Sequence, residues 1–243
     1  MPGLLRRQEP DNPLYAQWEA WLREHYWALR QRVLTGESAI TLGLNIYTAA
    51  EGEEALTVQP LTQADLDQVT ALCGQCVGEN LYPRSSLAAI LNSPDHYFSL
   101  LRAPEGEIAG YIYFHLSTLE AAAAEAKLPV EALAPIAPVE QPVVAKFQSI
   151  RTAPAYRDRG VARRLVDLAL EQARAAGADT AMCLAWVTKG RVPMGGNLLA
   201  SGFSYLRDAH RVWYDNENLV CPYCKGRCTC DAAIYYKILK ERD

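Results

Sequence analysis

The sequence has no long apolar run, and no stretch approaches the roughly 20 consecutive apolar residues that a membrane span needs. Residues 1–12 carry Arg6 and Arg7 but no apolar stretch behind them, unlike a secretory signal peptide. An internal repeat is also missing. From these absences we expect a cytoplasmic protein with no membrane partner. The 243 residues suffice for one domain plus an extension.

Basic residues are scarce in the first part of the chain and acidic residues in the second. Residues 1–140 hold 8 Lys and Arg against 18 Asp and Glu, whereas residues 141–243 hold 16 against 10. The mild net charge of −4 therefore hides two parts of opposite sign. This division predicts an anion-binding site in the second part and a preference for cations in the first. The overall acidity argues against nucleic acid as a partner.

The seven cysteines are odd in number and clustered along the chain, which argues against a disulfide framework. Cys73 and Cys76 form one pair, and Cys183 stands alone. An odd total without a signal peptide indicates a reducing compartment, where thiols bind metals or react. The remaining four cysteines fall within ten residues: Cys221, Cys224, Cys228 and Cys230.

Residues 1–54 are predicted to form an N-terminal helical extension. Asn12 is a suitable cap, Pro13 suits the first helical position, and Gly36 is suited to end the helix. An apolar stripe between them must be buried, either against the main domain or against a second copy of the chain in a homodimer. The stripe consists of Leu14, Trp18, Trp21, Leu22, His25, Leu29 and Val33.

Residues 55–243 alternate between strand and helix patterns, which predicts a mixed α/β (α+β) sheet with helices on both faces. Residues 119–142 interrupt this order with an insertion rich in Ala and Pro, for which we predict a turn or two of helix followed by loop. The predicted strands are 55–61, 96–101, 108–116, 143–152, 180–188, 205–214 and 232–239, and the main predicted helices are 62–77, 85–91, 161–176 and 193–200.

Residues 150–165 predict an anion-binding turn at the start of a helix. Pro154 ends the preceding strand, and Arg157 and Arg159 flank Gly160 directly before the helix. A helix N-terminus offers unpaired N–H donors and the positive end of the helix dipole. Gly160 lets a phosphate approach the backbone closely, and the small Ala162 keeps the first turn open.

The pattern Arg157-x-x-Gly160-x-Ala162 resembles the pyrophosphate-binding signature of the GNAT superfamily of N-acetyltransferases, and Gly202-Phe203 is similar to the end of the family's following helix. The resemblance covers residues 55–240 without the insertion, and it implies a GNAT-like, mostly antiparallel sheet and acetyl-CoA as cosubstrate. It also implies that the pantetheine arm pairs with the edge of the strand at residues 149–152. This strand splays from the next one, residues 180–188, and the thioester enters the gap. The residues implied are Ser149, Ile150, Arg151 and Thr152 for pantetheine, and Arg157, Asp158, Arg159, Gly160, Val161 and Ala162 for pyrophosphate.

The reaction implied by the resemblance is direct attack of a neutral primary amine, from a small molecule or a peptide, on the thioester. The base is open: a water held by Gln148 or Ser149, or Glu79 or His115, each of which also suits a structural role. The family often places a tyrosine that acts as the general acid at the position that is Leu198 here, and leucine cannot donate a proton. Tyr205, Tyr214 or solvent then remain as the acid. The alternative is a non-catalytic acyl-CoA sensor or interaction module.

Cys221-Pro-Tyr-Cys224-Lys-Gly226 has the form of a zinc knuckle, and Cys228 and Cys230 complete four thiolates for a closed structural Zn²⁺ site. The alternatives are a mixed site with Cys73 and Cys76, and a redox or disulfide role. The knuckle lies between the last two predicted strands. By the resemblance, that connection and residues 63–95 border the acceptor groove.

Overall fold

The computed structural model describes residues 56–76 and 81–240, with the side chains of residues 75 and 76 left aside. The predicted N-terminal helix, the homodimer that it would support, and Glu79 all lie outside the described residues. The division of the chain into an extension and one domain therefore stays a prediction.

Across the described residues, seven strands form one sheet in the order β1-β2-β3-β4-β5-β7-β6. Neighbouring strands are antiparallel except β4 and β5, which are parallel. This arrangement confirms the predicted mixed, mostly antiparallel sheet. The strands are β1 (Thr57–Pro60), β2 (His96–Arg102), β3 (Ile108–Ser117), β4 (Val144–Thr152), β5 (Thr180–Val187), β6 (Ser204–Ala209) and β7 (Asp231–Ile238).

Helices cover both faces of this sheet, as predicted. They are α1 (Leu66–Cys76), α2 (Arg84–Leu91), α3 (Leu119–Glu125), α4 (Val161–Ala175) and α5 (Gly195–Ala200). Adjacent residues in a strand point to opposite faces. Ala145 and Cys183 pack with α4 and α5, whereas their neighbours Val144 and Met182 pack with α3. Phe98 and Leu100 of β2 pack with α1 and α2. Among the described residues, every helix is too short or too polar to cross a bilayer.

The insertion is ordered, so the predicted loop after residue 125 is wrong. Thr118 caps α3 by accepting a hydrogen bond from the Ala121 amide at 3.2 Å. A 3₁₀ helix follows at Val130–Ile136, and its Leu133 and Ile136 are fully buried. Proline excludes an α-helix interior but fits a short 3₁₀ helix, whose side chains here fill the α3 side of the core.

The strand predicted for residues 205–214 is also shorter, since β6 ends at Ala209. Arg211 has a φ of 44°, in the left-handed region, which breaks an extended run. The remaining elements agree with the predicted ranges within a few residues. Gly202, with φ 80°, ends α5 before the buried Phe203, as the Gly-Phe pair predicted.

Gly110 of β3 lies where a side chain does not fit. A Cβ at this position would come within 2.5 Å of the Arg151 carbonyl oxygen and 3.0 Å of Leu165. We expect Gly110→Ala to lower the free energy of unfolding by about 1–3 kcal/mol, because β4 or α4 must shift. Urea unfolding measures the change. Gly74→Ala in α1 is the matched control, since open space surrounds that position. The control should be neutral or stabilising, by up to about 1 kcal/mol, and equal losses in both variants would contradict the steric argument.

Candidate functional site

A slot opens in the middle of the sheet where β4 and β5 separate. Their pairing joins residues 144–147 to residues 180–183 and ends there. Gln148 is an extra residue in β4, because Tyr113 and Phe114 of β3 pair with Ser149 and Phe147. This β-bulge bends β4 away from β5. Beyond it, residues 149–152 remain paired with β3 and residues 184–187 with β7, so that the two facing edges are open.

Buried polar atoms on both walls of the slot lack a hydrogen-bond partner among the described residues. They are Arg151 Nε and Thr152 Oγ1 on β4, and Trp186 Nε1 on β5. Buried polar groups are nearly always paired, so orphaned donors and acceptors of this kind indicate a place where a ligand supplies the partner. Together with the open strand edges, they suit an extended chain that carries amide groups.

A turn that leads into the N-terminus of α4 lies at one end of the slot. It runs from the 3₁₀ helix Pro154–Tyr156 to the start of α4, with φ of 59° at Asp158 and 75° at Gly160. The first hydrogen bond of α4 joins the Arg164 amide to the Gly160 carbonyl at 3.0 Å. The amides of residues 161–163 precede this ladder and point out of the helix end. The geometry is that of an anion site next to several arginines.

The ten residues predicted to contact acetyl-CoA belong to the open edge of β4 and to the turn that leads into α4. Residues 149–152 supply the open edge of β4, and residues 157–162 supply the turn and the first residues of α4. The chain order strand, turn, helix that the sequence predicted is thus observed. Their contact with a coenzyme remains a prediction.

Glu125, at the end of α3, reaches the bulge and was missed by the sequence reasoning. Its Oε2 accepts hydrogen bonds from Lys146 Nζ at 2.9 Å and Gln148 Nε2 at 2.8 Å, and its Oε1 lies 3.4 Å from His115 Nε2. The Lys146 side chain is only 2% exposed. Reading residues 119–126 as an amphipathic helix would have placed Glu125 on the same face as Ala122, three residues earlier.

Glu125 stays a carboxylate across the working pH range. Burial alone would raise its pKa, but hydrogen bonds from His115, Lys146 and Gln148 and the charge of Lys146 lower the pKa to about 2. The contribution of this ionised group to stability is therefore present above its ordinary pKa near 4.5 and is lost as the pH falls toward 2.

The predicted acid and base residues lie in different places. His115 lies on β3 and contacts Glu125. Together with Lys146 and Gln148, these two residues are called here the Glu125 group. Tyr205 is on the edge strand β6, where its ring packs against Tyr235 at 5.9 Å. The Tyr214 ring lies 4.1 Å below the guanidinium of Arg227, in the connection between β6 and β7. Leu198 of α5 is fully buried in the core, so its side chain packs and offers no proton.

The four clustered cysteines, called here the cysteine knuckle (residues 221–230), converge on one point. Their Sγ atoms all lie within 4.8 Å of one another. The Sγ atom of Cys230 lies 3.9 Å from that of Cys221 and 3.5 Å from that of Cys224. Zn–S bonds of about 2.3 Å in a tetrahedron place sulfurs about 3.8 Å apart. The donor set and spacing fit a closed tetrahedral ion.

The backbone of the knuckle supports this convergence. The Cys221 amide donates to the Gly226 carbonyl at 2.9 Å, and the Lys225 amide returns to the Cys221 carbonyl at 2.8 Å. The Thr229 hydroxyl and the Thr229 amide each lie 3.4 Å from Cys224 Sγ, and their hydrogen bonds, that of the hydroxyl first, lower the pKa of Cys224 to about 7. Amide donors to sulfur stabilise thiolates, as metal-binding knuckles require.

The other cysteines are placed elsewhere, which disfavours the mixed site with the 73/76 pair. Cys73 Sγ lies 2.9 Å from the Tyr111 hydroxyl in the core between the sheet and α1. Cys183 is buried against α4 and α5, where burial raises the pKa of its thiol to about 11. The side chain of Cys76 is outside the described residues.

The knuckle packs against the wall of the slot. Its buried cysteines form a cluster with Leu219. Leu81, which follows α1, packs against this cluster together with Trp186 of β5 and Trp213. The Trp186 ring lies 5.2 Å from Trp213 and 5.8 Å from Tyr223, edge to face in both pairs. The knuckle thus holds an aromatic cluster at the open end of β5, on the face covered by α1, α2 and α3.

Residues 74–194 match the model of the acetyltransferase (GNAT) family. No curated protein matches the chain in sequence. Among solved structures, NAA60 of Arabidopsis thaliana with a bisubstrate analogue is 12% identical, covers 75% of this chain and 97% of its own, and has a TM-score of 0.58. The same protein was solved with acetyl-CoA.

Two further structures share the fold. Naa20 of Chaetomium thermophilum with a bisubstrate analogue is 20% identical over 75% of this chain and 86% of its own, with a TM-score of 0.55. Spermidine N-acetyltransferase of Vibrio cholerae, with CoA and spermine, is 16% identical over 76% and 96%, with a TM-score of 0.52. With the splayed sheet, the turn before α4 and the family match in agreement, this chain carries an acetyltransferase domain of the GNAT family.

Proposed function

We propose that this protein transfers an acetyl group from acetyl-CoA to a primary amine of a small molecule or a peptide. The observation that carries the proposal is the slot, whose open β4 edge leads through the turn to the N-terminal amides of α4. In this proposal the pyrophosphate binds the amides of residues 157–162, and pantetheine pairs with residues 149–152 as an added strand. Arg151 Nε, Thr152 Oγ1 and Trp186 Nε1 offer partners for the polar groups of the coenzyme.

The acceptor amine then approaches from the face covered by α1, α2 and α3, where polar side chains meet the bulge. The neutral amine attacks the thioester carbon, and the C–S bond breaks as the amide forms. Buried Leu198 supplies no acid, so the leaving sulfur takes its proton from the adduct nitrogen or from solvent. A thiol with an ordinary pKa of about 8.5 is a good leaving group, so turnover does not require a dedicated acid.

The proposal includes a structural Zn²⁺ held by Cys221, Cys224, Cys228 and Cys230. Four thiolates leave no open coordination position, so the ion would stabilise the knuckle and take no part in the chemistry. Because the knuckle contacts Trp186 and Leu81, the ion would fix one wall of the acceptor site.

A second candidate function is a non-catalytic acyl-CoA sensor. One observation favours it: the buried Leu198 stands where the family often has the tyrosine that acts as general acid. It shares the coenzyme site with the enzyme and differs only in turnover. The experiment that tests the proposed function must therefore measure binding and turnover separately.

Binding is measured by thermal unfolding with and without acetyl-CoA, and turnover by thiol release over a panel of amines and peptides. We expect a stabilisation that grows with coenzyme concentration, and thiol release with at least one amine. A stabilisation without thiol release from any amine would favour the sensor. The absence of any stabilisation at saturating acetyl-CoA would contradict both functions.

A further inference from the structure

The Glu125 group lies at the point where the slot opens, on the face from which an acceptor would enter. Gln148 is the bulge residue itself, and its side chain donates to Glu125 at 2.8 Å. His115 and Lys146 are paired across β3 and β4, and one residue pair, Phe114 with Phe147, separates them from the bulge. The insertion, which the family resemblance left out, thus places an ionised carboxylate beside the start of the coenzyme slot.

The hydrogen bonds of this group define which nitrogen of His115 carries the proton. Gln148 Nε2 lies 3.4 Å from His115 Nδ1, and an amide nitrogen only donates, so Nδ1 must be the acceptor. The other nitrogen, Nε2, faces Glu125 Oε1 at 3.4 Å and donates to it. This arrangement leaves the basic lone pair on Nδ1, directed toward the bulge. It also sets a carboxylate behind the ring, as in base–carboxylate pairs of hydrolases.

We propose that His115 is the general base of the acetyl transfer and that Glu125, supplied by the insertion, is the residue that positions it. The inference rests on the proposed function. The acceptor ammonium replaces the Gln148 amide at His115 Nδ1, which accepts one proton from it and later releases that proton to solvent. The neutral amine attacks the thioester carbon to form the C–N bond. As the C–S bond breaks, the second proton on the adduct nitrogen passes to the leaving sulfur, so that amide and CoA thiol are the products.

The surroundings of His115 favour this role. Lys146 and Glu125 form a pair of zero net charge, so the imidazolium formed in the reaction faces a carboxylate whose other oxygen is held by the lysine. His96 stacks on His115 with ring centroids 5.3 Å apart, and its Nδ1 lies 2.6 Å from the Tyr113 hydroxyl. Burial and the charge of His115 lower the pKa of His96, which disfavours a second positive charge beside His115.

The test compares kcat as a function of pH for the parent, His115→Gln and Glu125→Gln. We expect His115→Gln to lower kcat by about 10²–10⁴-fold and to abolish the acid limb of the profile, with an unchanged Kd for acetyl-CoA. We expect Glu125→Gln to lower kcat by about tenfold or more and to move the acid limb to lower pH, since the amide no longer stabilises the imidazolium. A purely structural role would not move that limb.

Two further variants guard against misfolding and non-specific effects. Glu125→Gln leaves the buried Lys146 without its partner, so the double variant Glu125→Gln with Lys146→Met tests the same change without a buried unpaired charge. His210→Gln is the matched control, because that histidine is 74% exposed and pairs with Asp231 in the β6–β7 connection. The control should keep the parent profile.

The outcome separates this inference from the proposed function. If His115→Gln keeps the parent kcat and acid limb, His115 is not the base, although acetyl transfer itself stands. If the parent releases no thiol from any amine, the proposed function fails instead. The pairing is then decided by ¹⁵N NMR of His115 in the parent and in Glu125→Gln: a proton on Nε2 that titrates at lower pH in the variant supports it, and a proton on Nδ1 overturns it.

Discussion

Replacing Cys221 with serine is expected to remove about one equivalent of zinc from the purified protein and to lower its free energy of unfolding by about 3–5 kcal/mol. Cys221 is fully buried and contributes one of four sulfurs that meet within 4.8 Å. The expected loss of stability has two parts. One is the binding free energy of the ion, and the other is the cost of leaving three buried thiols without a metal to bind. Metal analysis and urea unfolding measure the two effects, and the melting temperature should fall by roughly 10 °C.

Cys183→Ser is the matched control, because it buries the same hydroxyl in place of the same thiol outside the knuckle. We expect it to cost about 1–3 kcal/mol and to leave the zinc content unchanged. Less than half an equivalent of zinc in the parent protein, after purification without chelators, would contradict the structural ion. Equal losses of stability in the two serine variants, with zinc retained in both, would assign the effect to burial of a hydroxyl alone.

Replacing Gly160 with alanine is expected to raise the Kd of acetyl-CoA about tenfold or more, equivalent to about 1.4 kcal/mol. Gly160 caps α4 with φ 75°, a conformation that costs an alanine about 1–2 kcal/mol. Its methyl group would also stand where a pyrophosphate approaches the amides of the turn. Isothermal titration with acetyl-CoA, and separately with CoA, measures the change.

Gly177→Ala separates these two effects at the other end of the same helix. Gly177 has φ 86° and open space around its Cβ position. An alanine here meets the same backbone strain as an alanine at position 160, but no coenzyme is proposed to bind at this end of the helix. We expect both variants to lose similar stability, and only Gly160→Ala to lose affinity. Unchanged affinity in Gly160→Ala would contradict the placement of the pyrophosphate at this turn.

Features that depend on local sequence were predicted from it. The turn before α4 needed only a strand end, Pro154, Gly160 and a following amphipathic helix, all of which are contiguous. The order of strands and helices followed from alternation and periodicity in the same way. The knuckle was equally accessible, because its four ligands fall within ten residues and need no distant part of the chain.

The Glu125 group depends on contacts between distant residues, which a single sequence does not reveal. Glu125 meets His115 only because α3 folds back over β3 and β4, and proline spacing in the insertion suggested a loop. The bulge at Gln148 follows from the registers of β3 against β4, a property of the assembled sheet. Lys146 is a charged residue buried in β4, and the carboxylate of Glu125 accounts for its burial.

A sheet that opens in its middle carries an edge strand in its interior. Residues 149–152 of β4 and residues 184–187 of β5 each present backbone groups to the slot, although both strands lie far from the outer edges β1 and β6. Under the proposed function acetyl-CoA completes this ladder, so the coenzyme is a folding ligand as well as a reactant. Slot-facing amides are therefore expected to exchange their hydrogens as fast as those of an outer edge until the coenzyme binds. Under the same proposal, the coenzyme concentration determines the local stability of β4 and β5 at the slot.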